Sequence, residues 1–380
     1  MVKVSHFFHL RGMKKENSKV TYFFLLLTLV LSLESVAQER YKTENIILVT
    51  LDGMRWQEVF NGADSLLMKQ QNFLKDPDVK KKYWRNEIAE RRKALFPFLW
   101  TTVLSQGQIY GNRLLGSKVN VTNQMWFSYP GYNEILTGFA DDARITSNDK
   151  DYNPNITVLE FINRNTAFKG KVAAFTSWDV FPYIINDKRS GVVVNAGLTP
   201  AASNMLTDRE EILNEMMPVT PNPIPDVRLD AFTFYYGMEY LKKSKPRVLF
   251  FSFDETDDFA HDGEYAAYLN SAHAADGFLK ELWRNLQADS FYKNKTTMLI
   301  TVDHGRGVTS QEWKSHGRKI LDADQIWFAV IGPDTPASGE QKNGQVYQNQ
   351  FAKTITSLLG LNYAPEKKAG ESVAAAIKMK

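Results

Sequence analysis

Four clusters of metal-ligand-type residues mark this chain, and each sits where a buried strand should run out into a loop. Asp52 ends the run Ile46-Ile47-Leu48-Val49-Thr50-Leu51, and Asp257 with His261 follows Val248-Leu249-Phe250-Phe251-Ser252-Phe253. Asp303-His304 close Met298-Leu299-Ile300-Thr301-Val302, with His316 further on, and Ser128 stands in a fourth cluster. Near-continuous apolar runs of this length read as strands buried on both faces, the mark of a parallel sheet. Ligands bind such sheets beyond the carboxyl ends of the strands, where these acids and histidines fall. Three Asp, three His and one hydroxyl are enough to hold two zinc-class ions with the hydroxyl as nucleophile. That combination points to hydrolysis of a phosphate ester.

Strands are expected at 45–51, 171–176, 247–253, 297–302 and 326–331, alternating with amphipathic helices such as 262–287 and 350–359. The alternation predicts an α/β/α sandwich with a mainly parallel central sheet. A chain that is 43% hydrophobic and 13% aromatic can fill such a core, so 38–380 is read as a single catalytic domain. Two segments read as additions. Residues 64–95 are dense in charge and suggest a solvated helix pair. Residues 203–228 run from an acidic helix into Pro218, Pro221, Pro223 and Pro225, either a cap over the site or an ordinary surface excursion.

The first 37 residues are expected to be a signal peptide. Lys14, Lys15 and Lys19 precede the apolar run Val20 to Leu33, and Ser35-Val36-Ala37 offers a small-x-small cleavage site. The run is short for a membrane span, so no stable anchor is expected after cleavage. The leader carries five Lys/Arg and two acids; removing them from 46 and 43 leaves 41 of each. A net charge near zero gives no sign of a nucleic-acid-binding surface. The chain has no Cys. No disulfide is therefore expected, the Cys that a lipoprotein anchor requires is missing, and any zinc must be held by His and Asp, the pattern of catalytic sites. A bacterial periplasmic or secreted address fits best.

Taken singly the clusters are ambiguous. Asp52-Gly53 is also a common turn. Phe127-Ser128-Tyr129-Pro130-Gly131 reads as a helix opening, with Pro130 in the first turn and Ser128 at or next to the N-cap. There the helix dipole favours an alkoxide and an incoming phosphate, although a plain capping serine looks the same. Asp257 and His261 are one helical turn apart, with Asp254, Asp258 and Asp262 crowding the choice. Asp303-His304-Gly305 is the sharpest motif. Only four His follow the leader, and the one outside these motifs, His273, reads as structural.

Together the motifs resemble the alkaline phosphatase superfamily, most of all its nucleotide pyrophosphatase/phosphodiesterase (type I phosphodiesterase) branch, over roughly residues 45–335. The resemblance implies the alkaline-phosphatase-like fold and two Zn2+ per chain. Asp257, His261 and His316 would hold one ion; Asp52, Asp303 and His304 the other, together with the Ser128 oxygen. It also implies an Asn about twenty residues after the nucleophile that contacts a phosphoryl oxygen, for which Asn148 is the candidate. The sequence departs from the family in using Ser rather than Thr at 128 and Gly rather than Asn at 131. A small-molecule phosphodiester or nucleotide is the expected substrate, with a phosphate monoester as the alternative. Monoesterases add Lys or Arg toward the phosphate, for which Lys188, Arg189 and Arg306 are candidates. A sulfatase is less favoured, because Tyr132 stands where that branch requires Arg, and an inactive binding protein is less favoured because no ligand is missing.

Overall fold

A computed structural model describes residues 41–203 and 205–378; the expected leader lies outside them. An eight-stranded sheet forms the centre. Its strands in chain order are β1 (Asn45–Leu51), β2 (Gly107–Tyr110), β3 (Val172–Thr176), β4 (Val193–Ala196), β5 (Val248–Phe253), β6 (Thr296–Thr301), β7 (Phe328–Ile331) and β8 (Gly339–Glu340). Across the sheet they lie in the order β8-β2-β7-β6-β1-β5-β3-β4. β1 pairs in parallel with β5 and β6, and β5, β3 and β4 continue the parallel half. Every residue of β1, β5 and β6 is buried, which is why these runs carry almost no polar alternation.

The one expected strand that behaves differently is 326–331. It breaks at Trp327: Gln325–Ile326 joins a second, three-stranded sheet, while β7 runs antiparallel between β6 and β2. β7 therefore ends on the side of the sheet away from the ligand-bearing ends of β1, β5 and β6, and it carries no candidate ligand.

Eight helices frame the site or build the two added segments. Two short ones, α1 (Val79–Tyr83) and α2 (Ile88–Leu95), occupy the expected 64–95 pair. α3 spans Ser128–Thr137, α4 Asp208–Met216, α5 Asp230–Ser244, α6 Glu255–His261, α7 Tyr265–Ala288 and α8 Phe351–Leu358. α4 opens with a capping box, Thr207 with Glu210, and rests on α5 through Arg209–Glu239 and Lys243–Glu210 ion pairs. The 203–228 segment thus packs on α5, with Met205, Ile212, Met216 and Val219 exposed. Among the described residues no helix is long and apolar enough to cross a membrane.

α3 is buried along its entire length. It is closed at its carboxyl end by Gly138 in the left-handed region, φ 81°. The segment after α8 clamps it from behind: the Tyr363 hydroxyl donates to the Thr137 carbonyl (3.0 Å) and the Gly370 amide to the Gly138 carbonyl (3.0 Å). Gln348 Nε2 donates to the Val302 and Asp303 carbonyls (3.0 and 2.7 Å), fixing the end of β6. α3 itself presses on that same end. A Cβ placed on Gly131 would lie 2.4 Å from the Asp303 carbonyl oxygen, so only glycine fits there. Gly131→Ala is expected to lower stability by about 1–3 kcal/mol through this overpacking. Urea unfolding would read it, and an unchanged midpoint would mean that α3 does not bear on β6.

Candidate metal and catalytic site

The ends of β1, β5 and β6 bring all seven expected ligands to one place. Asp52 follows β1, Asp257 and His261 lie on α6 directly after β5, and Asp303-His304 follow β6. Ser128 is the first residue of α3, with Phe127 as its N-cap. Asp52, Asp303 and His304 form one donor group and Asp257, His304 and His316 a second, with the donor atoms of each within 4.8 Å of one another. His304 Nε2 lies 3.4 Å from Asp52 Oδ1, 3.3 Å from Asp303 Oδ2 and 3.4 Å from Ser128 Oγ. His261 Nε2 is 2.9 Å from His316 Nε2 and 3.1 Å from Asp257 Oδ2. Neither donor group contains His261, which the resemblance assigns beside Asp257 and His316, nor Asp254, Asp258 or Asp262.

The carboxylates test whether these groups suit a metal. Asp303 Oδ1 accepts from the Gly53 amide (3.1 Å), and Asp52 Oδ2 accepts from the Tyr132 hydroxyl (2.8 Å). The remaining oxygens, Asp52 Oδ1 and Asp303 Oδ2, are buried with no hydrogen-bond partner. Buried polar atoms are almost always paired, so two orphans aimed at one imidazole nitrogen are what a cation site requires. The histidines are oriented to match. His304 Nδ1 lies 3.0 Å from the Gly305 carbonyl and His316 Nδ1 3.2 Å from the Trp126 carbonyl. A carbonyl only accepts, so each Nδ1 carries the proton and each Nε2 lone pair faces the donor groups. Trp126 is held at φ 55°, a costly conformation for a non-glycine residue, directly before the Ser128 helix.

Electrostatics point the same way. Burial, reinforced by Asp257, pushes Asp52 up to about 8, and burial with Asp52 raises Asp303 well above the usual carboxylate range. Burial holds His304 down at about 4 and, with His304 beside it, His316 at about 2, so both imidazoles are neutral at neutral pH. Asp257 is the exception. Burial alone would raise it, but the Arg306 guanidinium and the His316 and His261 imidazoles override that and hold it well below the usual range.

Several other residues fall into place. Asn148, exposed, accepts through Oδ1 from the amide of Tyr129, the residue next to Ser128 (3.0 Å), a bond that does not use its NH2 group. Gly53 has φ 57°, and a Cβ there would come 2.4 Å from Asp257 Oδ1, so close packing of β1 on α6 requires glycine. The three cations weighed for phosphate binding have other partners. Arg306 is buried and bonds the Asp257 carboxylate and carbonyl. Arg189 is engaged by Glu160 and by the Asn153, Pro154 and Asn155 carbonyls. Lys188 lies over the Tyr152 ring. His273 bonds the Leu95 carbonyl and packs on Tyr83, away from the ligands. Tyr132 went unnoticed as a site residue in the sequence, although its place one helical turn after Ser128 was a usable signal.

The shifts carry a sign. In chelated protein, raised carboxylates bind protons that the unfolded chain has already released, so stability falls as pH rises toward 8. The lowered histidines oppose this only below about 6.5, their ordinary value. Metal-free protein is therefore expected to lose thermal stability between pH 6.5 and 8, and saturating zinc to remove that slope. Melting curves with and without chelator would check it; a slope of opposite sign would contradict the carboxylate environment described.

No curated protein matches the chain. The fold is similar to that of the alkaline phosphatase PafA, at 10% identity, covering 90% of this chain and 100% of that one, TM-score 0.60. It is also similar to the phosphonate monoester hydrolase SpPMH from Silicibacter pomeroyi, at 10% identity over 87% and 76% of the two chains, TM-score 0.56. The 2-O GAG sulfatase BT1596 follows at 13% identity over 88% and 74%, TM-score 0.51. Residues 230–362, which hold five of the candidate ligands, match the Metalloenzyme superfamily. The Metalloenzyme match is thus confined to residues 230–362, and the fold around it is similar to that of alkaline-phosphatase-like structures.

Proposed function

We propose that this protein is an exported two-zinc hydrolase that cleaves phosphate esters through a phosphoseryl intermediate on Ser128, with phosphodiester or nucleotide-type substrates. The observation that carries the reading is the pair of donor groups meeting at His304, with Ser128 Oγ 3.4 Å from the same nitrogen. Three imidazoles and three carboxylates without any thiolate suit zinc in catalytic rather than structural use. When bound, the two ions would lower the pKa of a coordinated hydroxyl and offset charge developing on the phosphoryl group.

The chain's own residues supply the rest. Ser128 Oγ forms the new O–P bond as the ester O–P bond breaks and the alcohol leaves. Water then cleaves the phosphoserine and returns the hydroxyl. At the first turn of α3 the Tyr129 amide is taken by Asn148 and Pro130 has no N–H, so it is the helix dipole at Ser128 that favours the anion. Asn148 donates from its NH2 group to a phosphoryl oxygen, its orientation set by the Tyr129 amide. Deep burial of Asp52, Asp303 and His304 excludes water from beneath the reacting group.

The diester preference rests on the cations. A dianionic monoester needs extra positive charge; Lys188 and Arg189 are engaged elsewhere, and Arg306, whose Nε and Nη1 have no partner, is committed through Nη2 to offsetting the charge of Asp257. The sulfatase alternative is weakened by Tyr132, whose hydroxyl bonds Asp52 at the position where that branch needs Arg. Export rests on the leader at residues 1–37.

Ser128→Ala is expected to abolish the phosphoenzyme and reduce turnover by at least ~10³-fold while both metals stay bound, read by trapping and metal analysis. Full turnover in that variant would refute the covalent route. Asn148→Ala should cost roughly 10²-fold in kcat/KM, as expected for removing one transition-state donor; a loss under about threefold would remove it from the site. On matched nitrophenyl substrates the diester should outpace the monoester and the sulfate, and chelation should abolish the activity. A monoester preference would overturn the argument from engaged cations.

A further inference from the structure

Three hydroxyls run beneath the site in one direction. Thr50 Oγ1 on β1 donates to Ser252 Oγ on β5 (2.9 Å), Ser252 Oγ donates to the Tyr132 hydroxyl on α3 (3.0 Å), and the Tyr132 hydroxyl donates to Asp52 Oδ2 (2.8 Å). All four residues are buried. The Ser252 and Tyr132 oxygens each accept and donate, so the chain has a defined sense and ends on the carboxylate. Its consequence is geometric. Asp52 Oδ2 is occupied, and only Oδ1, which has no other partner, is left for a cation.

We infer that Tyr132 is a positioning residue that holds Asp52 as a one-oxygen ligand and ties it to the helix carrying Ser128. The inference rests on the metal-site reading above. Tyr132 lies four residues after Ser128 on α3, so one helical turn delivers the nucleophile and the anchor of the Asp52 ligand together. The ring is fixed independently of the hydroxyl by its edge contact with Phe181, centroids 4.6 Å apart. Removing the hydroxyl alone therefore frees Asp52 to rotate while leaving the packing in place. Hydrogen-bond partners of ligand groups commonly govern affinity to this degree.

The test is zinc affinity, by competition with a chromophoric chelator, of Tyr132→Phe, Ser252→Ala and Thr50→Val in the full chain. Tyr132→Phe is expected to lose roughly 10–100-fold in affinity at one of two zinc equivalents, with the other unchanged. Ser252→Ala should show a smaller loss and Thr50→Val a smaller one still. At limiting zinc, Tyr132→Phe should lower kcat with KM little changed, and excess zinc should restore it. A merely structural role would lower the melting temperature of the chelated protein without this graded loss of one equivalent. If Tyr132→Phe and Ser252→Ala both load zinc as the wild type does, the relay is wrong although the metal-site reading stands. If the wild type takes up no zinc, both fall.

Discussion

Carboxylates crowded beneath a shared ceiling of imidazole are what the site depends on. Asp52, Asp257 and Asp303 are buried at the ends of three adjacent parallel strands, and Asp254 adds a fourth acid to the same region. Like charges this close in a poorly hydrated place disfavour ionisation, so the folded chain carries a standing electrostatic cost that a divalent cation relieves. One arginine, Arg306, already relieves it at Asp257, the one acid of the four whose pKa is lowered rather than raised. The two halves of the site thus differ in charge before any ion arrives.

The sheet makes this crowding unavoidable. β1 lies between β6 and β5 in the parallel half, and placing its end level with theirs brings three loops onto one small area. Glycine is then required wherever backbones converge. Gly53 lets the turn after β1 approach α6, and Gly131 lets α3 approach the end of β6. The departure from the family's Asn at position 131 has a steric meaning in this chain: there is no room for a side chain.

Much of this was legible in the sequence, and what was not has a physical explanation. The buried strands and their terminal acids were readable because a strand covered on both faces must be apolar throughout, so the first charge after it marks its end. The long helix 262–287 was found within three residues at its start, as Tyr265–Ala288, because its apolar stripe is sustained. The reversal of β7 was hidden, since an apolar run carries no sign of its direction. The partners of Arg306 and Arg189 were hidden too, because a cation reads alike in sequence whether it faces solvent or a carboxylate. Tyr132 drew notice in the sequence only as the residue standing where a sulfatase requires Arg, so its burial was hidden. It is core, and its hydroxyl is the part that matters.

The clamp formed by residues 348–370 has a consequence in time. Those residues fix the end of β6 and the back of α3 after every candidate ligand has been passed in the chain. The donors are scattered over more than two hundred and fifty positions, Asp52 to His316, and their final spacing is set only when this last stretch is laid on. A chain still being made holds no preformed metal site. On the proposed metal-site reading, ion capture would be coupled to completion of the fold, and loading would be a late step that reports on correct assembly.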